Sequence, residues 1–259
     1  MLMPVLRKAP NVGRNFIRHT KIMTKTFLQA EWRKLAIANY SIDPQILKPF
    51  LPRNTELDMW QDKCYVSLVG FMFLNTKLKK IRIPFHSNFE EVNLRFYVRH
   101  KKDDIWRRGV TFIKEIVPKP SLTFIANTIY KEKYETLPMN HNWHISDQSI
   151  EIEYKWKKQK WNSIRVKADN IQKPIMAGSE EEFITEHYWG YTKINDLNTS
   201  EYGVEHPKWD IYSVTDYNIN VDFENTYGKA FSFLSALVPV SVMLAEGSEI
   251  TVKSGRKLK

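Results

Sequence analysis

Residues 88–99, NFEEVNLRFYVR, constrain this chain more than any other stretch. The run is rich in the aromatic and β-branched residues that strands favour. Strand side chains alternate between faces, so Glu91, Asn93, Arg95 and Tyr97 share one side and Val92, Leu94, Phe96 and Val98 the other. Two readings fit this pattern. In the first, the polar row faces water. In the second, it faces a cavity in which a carboxylate, an amide and a guanidinium converge on a small ligand.

The same period recurs along the chain. Residues 31–40 and 63–75 read as strands, 57–60 as a short one, and 105–117 as an antiparallel return across the charged turn 101–104. In residues 150–156, Ile150, Ile152, Tyr154 and Trp156 alternate with Glu151, Glu153 and Lys155, and 161–168 forms the hairpin partner. Segments 202–209, 216–223 and 241–253 complete the strand set, the last with a turn at Glu246-Gly247. Helices are expected after Asp43, which suits an N-cap followed by Pro44, and over 121–130, 178–191 and 225–237. The third starts on a capping box, Ser179 with Glu182. Strands and short turns dominate without regular strand–helix alternation. A doubly wound sheet is therefore not expected, and a mostly antiparallel barrel or sandwich is.

Several chemistries are excluded. No phosphate-cradling glycine loop, nucleophile elbow or His-Glu-x-x-His helix occurs. His141 and His144 lie in a strand-like or loop stretch, so no metal site is expected. The lone cysteine, Cys64, rules out an internal disulfide and fits a reducing, cytoplasmic setting. No apolar run reaches the length of a membrane span. The net charge of +10 favours anionic partners. Yet YKWKKQKW places its aromatics and lysines mostly on opposite faces, unlike a base-stacking patch. Neither nucleic acid nor membrane is expected as a partner. Residues 1–26 are basic and lack a periodic apolar face, so they are expected to be a flexible extension dispensable for folding, with 27–259 as one domain.

Longer runs carry a resemblance. WRKLAIANYSIDPQILKPFLP, VSLVGFMFLNT, IPFHSNFEEVNLRFYVR, RGVTFIKEIVP, EEFITEHYWGYT, EYGVEHPKW and SVMLAEGSEITVKSGR together resemble the YqjF-like family of uncharacterised bacterial proteins, over about residues 27–256. That family is in turn distantly similar to acetoacetate decarboxylase. The resemblance implies a mainly β fold with a few short helices: a closed, mostly antiparallel β-barrel with a central cavity. It makes Glu91 a cavity carboxylate. YETLPMN resembles the decarboxylase segment ending in Gly-Phe-Pro-Lys-Lys, whose lysine forms a Schiff base. Here Met139 and Asn140 stand in that place, and neither can condense with a ketone. The fold is expected to transfer and the Schiff-base reaction is not.

The resulting expectation is a cavity for a small anionic or carbonyl-containing metabolite. Glu91, Asn93, Arg95, Tyr134, Met139 and His206 would bind the ligand, with no cofactor. Whether a reaction occurs stays open, the alternative being a non-catalytic sensor or structural protein on the same fold. Arg95 suits an anionic group. Glu91 and Arg95 would either pair with each other, or Glu91 would take other donors and leave Arg95 to the ligand.

Overall fold

The computed structural model describes residues 25–129 and 131–258. The expected extension lies, up to residue 24, outside the described residues, and Thr26 already belongs to the first strand. The strands are β1 (Thr26–Ser41), β2 (Glu56–Leu57), β3 (Tyr65–Leu78), β4 (Ile81–Arg82), β5 (Phe89–Lys102), β6 (Ile105–Val117), β7 (Tyr134–Thr136) and β8 (Met139–Ile145). They continue with β9 (Ser149–Lys157), β10 (Trp161–Pro174), β11 (Trp189–Asn195), β12 (Asn198–Glu205), β13 (Asp210–Asn220), β14 (Ser241–Lys253) and β15 (Arg256–Lys257). Three short α-helices punctuate them: α1 (Pro120–Ile129), α2 (Glu180–Thr185) and α3 (Phe223–Tyr227).

All strands join one sheet, whose main path runs β15-β12-β11-β6-β5-β3-β1-β14-β13-β10-β9-β8, with β2 paired to β5, β4 to β3 and β7 to β6 beside it. Because β12 also pairs with β14, the path β12-β11-β6-β5-β3-β1-β14 returns on itself. The ladders are antiparallel except where β6 meets β7 and β11. β5 lies inside this circuit of pairings, between β3 and β6.

Both faces of β5 are buried, and they belong to different interiors. Val92, Leu94, Phe96 and Val98 pack into one cluster with Leu68, Tyr154, Trp156 and Phe231. Phe89 and Tyr97 pack into the other, with Val69, Phe71, Phe73 and Phe183. The hairpin β9–β10 serves the first cluster, and its alternation is as the sequence reads: Ile150, Ile152, Tyr154 and Trp156 are fully buried, with Glu153 opposite Arg165 on the other face.

The strands read at 202–209 and 216–223 lie instead at Asn198–Glu205 and Asp210–Asn220, and four further differences from the sequence reading have a local reason. The helix expected over 178–191 ends at Thr185, although its cap forms as expected, with Ser179 Oγ accepting from Glu182 N. Trp189 and Gly190 leave it to pair with Gly109 and Val110 of β6. The helix expected over 225–237 is broken by Gly228 at φ 105°, which separates α3 from a 3-10 stretch, Lys229–Ala236. After Asp43, whose carboxylate accepts from Gln45 N, only two 3-10 turns form, because Pro49 interrupts the segment. Finally, Glu246-Gly247 is not a turn, since β14 runs through it.

Gly247 has φ 80°, and a Cβ there would meet the Trp32 carbonyl across the β1–β14 ladder. Gly247→Ala is therefore expected to destabilise the fold by about 2–4 kcal/mol. Urea unfolding measures this, and an unchanged midpoint would contradict it. Among the described residues no helix is long and apolar enough to cross a membrane.

Candidate functional site

The polar row of β5 is not in water. Glu91 is 2% exposed, Asn93 1% and Arg95 8%. All three line a pocket of ≈ 160 Å³, together with side chains from β1, β3, β6, β11, β12 and α1.

Glu91 is held by two donors. Asn93 Nδ2 donates to its Oε1 at 3.0 Å, and the Tyr134 hydroxyl donates to its Oε2 at 3.0 Å. Burial nevertheless pushes the Glu91 carboxyl up to about 7 against these bonds, and the nearby charge of Glu132 adds to the rise. Two further carboxyls share the pocket. Glu115, opposite Asn93 on β6, is raised well above the usual range by burial and by the charges of Glu132 and Glu91. Glu132 is raised to about 7 by burial, although Thr192 Oγ1 donates to it at 2.6 Å and Tyr202 also bonds it. Near neutral pH the cluster therefore holds protons, and its carboxyls can donate as well as accept.

Arg95 does not pair with Glu91. Its Nη2 donates to the Ile184 carbonyl at 3.4 Å, its guanidinium lies 5.6 Å from the Tyr97 ring centre, and its Nε has no hydrogen-bond partner. Among the described residues it forms no ion pair. Of the two arrangements read from the sequence, the one that leaves Arg95 uncommitted is present.

His206 lines the same pocket. Its ring stacks on Trp209 at 4.5 Å and lies 4.7 Å from Tyr188, with Nδ1 2.9 Å from the Pro207 carbonyl. Burial pushes its pKa down to about 4, so it is neutral at pH 7. Tyr134 is brought in by the parallel pairing of β7 with Glu115 on β6. Met139 is not brought there. It sits on β8 opposite Trp156 and packs against the other core cluster, while His141 on that strand bonds Glu90 at 2.7 Å. The residues that replace the decarboxylase lysine segment in the sequence thus lie away from the pocket. No lysine is among the described lining residues.

Several lining residues were not singled out from the sequence as ligand-binding. Glu115 and Glu132 are two of them. His187 is a third: its Nε2 is 3.2 Å from Asp58 Oδ2, which also accepts from Arg108 Nε at 2.6 Å. Burial raises the Asp58 carboxyl, but the bonds from His187 and Arg108 outweigh it and hold Asp58 below the usual range. Burial lowers His187 to about 4. Among the described residues, no group of three His, Cys, Asp or Glu side chains is arranged to hold a metal.

This architecture, a single mostly antiparallel sheet whose pairings close on themselves beside a largely apolar pocket with a few buried polar groups, is the acetoacetate-decarboxylase-like fold. Acetoacetate decarboxylase from Legionella pneumophila superposes with a TM-score of 0.61 at 12% identity, over 97% of this chain and 98% of that one. The enduracididine biosynthesis enzyme MppR, complexed with pyruvate, superposes with a TM-score of 0.65 at 11% identity, over 93% of each chain. The family itself is set by sequence: residues 29–249 match DUF2071, described as "Uncharacterized conserved protein", and the chain belongs to that family. Uncharacterized protein YqjF of Bacillus subtilis (strain 168) is 24% identical over 185 residues, covering 70% of this chain and 74% of the relative.

Proposed function

We propose that the strand circuit is a closed barrel and that its interior pocket binds a small organic carboxylate, with the carboxylate on Arg95. The observation that carries this reading is the guanidinium itself. It is buried and, among the described residues, lacks an ion pair and has an Nε without a partner. An isolated buried charge is costly, and a bidentate carboxylate is the group that best satisfies a guanidinium. The protons that the Glu91, Glu115 and Glu132 cluster holds near neutral pH supply donors for a carbonyl or hydroxyl on the same ligand. The pyruvate bound by MppR supports an oxo acid as the first probe.

Calorimetric titration with pyruvate and acetoacetate should give binding, and acetone, which lacks the carboxylate, should not bind. Equal behaviour of all three would overturn the reading. Borohydride added with either oxo acid should leave no covalent adduct by mass spectrometry, because the described lining offers no amine. An adduct mapped to any lysine would show that an amine reaches the ligand. The same lack of an amine supports a second reading, a ligand sensor that binds without turnover. Product formation from a bound oxo acid would exclude it.

A further inference from the structure

The ladders arrange the pocket wall in rows. Trp32 on β1 faces Phe73 on β3, which faces Phe89 on β5. Their rings are in contact, Trp32 edge-on to Phe73 at 5.9 Å and Phe73 stacked on Phe89 at 4.7 Å. Farther from Arg95, four residues along β1 from Trp32, Leu28 faces both Leu78 and Val252. All of these line the pocket, and Leu122, Ile125 and Ala126 of α1 line it too. In the other direction come Glu91, then Asn93 beside Glu115, then Arg95. The polar exceptions toward the apolar end are His206, whose ring centre is 6.4 Å from that of Trp32, Thr76, and His86, the last bonded to the Pro84 carbonyl and to Ser121 Oγ.

The wall is therefore graded along β5: a cation, then a band of hydrogen-bonding groups, then an aromatic and aliphatic end. Six residues separate Arg95 from Phe89, about 20 Å of strand at roughly 3.3 Å per residue. A three-carbon oxo acid bound at Arg95 leaves the apolar end untouched.

We propose that the ligand is an amphiphilic oxo- or hydroxy-carboxylate, with its head on Arg95, its second oxygen function among Glu91, Asn93 and Glu115, and an apolar tail along Trp32, Phe73 and Phe89. This inference rests on the carboxylate reading and specifies its ligand class. The test is a series of straight-chain 2-oxo acids from three to ten carbons, titrated by calorimetry and by the fluorescence of the lining tryptophans. Each methylene should tighten Kd roughly fourfold while the tail is covered. With five added methylenes, the gain from pyruvate to 2-oxooctanoate should then be about 1,000-fold. Ala126→Phe, which narrows the pocket on its α1 side, should blunt that gain, lowering the ratio of the pyruvate Kd to the 2-oxooctanoate Kd. If pyruvate binds and affinity is flat with chain length, the tail inference is wrong and the carboxylate reading stands. A gradient undiminished in Ala126→Phe would place the tail elsewhere and also overturn the inference. If no oxo acid of any length binds, the carboxylate reading falls, and this inference with it.

Discussion

Arg95→Met should abolish carboxylate binding while leaving the melting temperature of the ligand-free protein unchanged or higher. The two halves of this result have separate causes. In binding, truncating a buried charge that meets an opposite charge costs about 2–5 kcal/mol, or 30-fold and more in Kd. In folding, the Arg95 side chain gives up hydration for one 3.4 Å bond to the Ile184 carbonyl and the face of Tyr97. A methionine of similar reach removes the desolvated charge and strands no carboxylate, since Glu91 is held by Asn93 and Tyr134 instead. Replacing buried charge with apolar volume is often neutral or stabilising. Had Arg95 paired with Glu91, the same substitution would cost about 3–5 kcal/mol of stability. Thermal melts together with a pyruvate titration separate the cases. A large drop in melting temperature, or undiminished affinity, would refute this account of Arg95.

Glu91→Gln should make the protein progressively more stable than the parent as pH rises from 5 to 8. The Glu91 carboxyl is raised from 4.5 to about 7 in the folded state, chiefly by burial. Between those values the folded protein keeps a proton that the unfolded chain has released, so stability falls with rising pH, and the full penalty is present above about 7. The size of the effect is at most about 3 kcal/mol, at 1.36 kcal/mol per pKa unit. Glu132 and Glu115 act in the same sense. His187 and His206, lowered to about 4, act oppositely: the unfolded chain binds protons the fold excludes, so they add stability as pH rises from about 4 to 6.5. The two sets partly cancel below 6.5, and the carboxyls dominate above it. Glu90→Gln is the control. His141 outweighs burial and holds the Glu90 carboxyl below its usual range, so removing that charge brings no alkaline gain. Parallel stability curves for parent and Glu91→Gln across this range would rule the effect out.

Much of the scaffold is legible in the residues. The period of two in 88–99 and 150–156 gives the correct faces of β5 and β9, because each face packs against something continuous. The period could not say that both faces of β5 are interior, since that depends on which strands lie beyond it. Glu115 escaped for a concrete reason. The β5–β6 register shifts between Leu94 and Arg95, and Ile113 is skipped. Val110 and Phe112 therefore line the pocket together with Glu115, against strict alternation. Glu132 lies in the irregular residues before β7, where no period exists. His187 meets Asp58 across 129 positions, which spacing cannot reveal. The Glu91–Arg95 question is decided by strand rise. Four residues span about 13 Å, so the two heads meet only if both side chains lean toward each other, and Arg95 leans toward Ile184 instead.

The division of β5 between two interiors has a consequence for how this chain can change. Its odd-numbered residues from 91 to 95 meet the pocket, while its even-numbered neighbours meet a separate apolar cluster. Substitutions in the two sets share few partners, so their effects on stability should be close to additive. If the proposed carboxylate site is right, ligand preference can drift at 91, 93 and 95 without renegotiating the packing at 92, 94 and 96. A family built on such a strand can diversify what it holds while its scaffold stays recognisable.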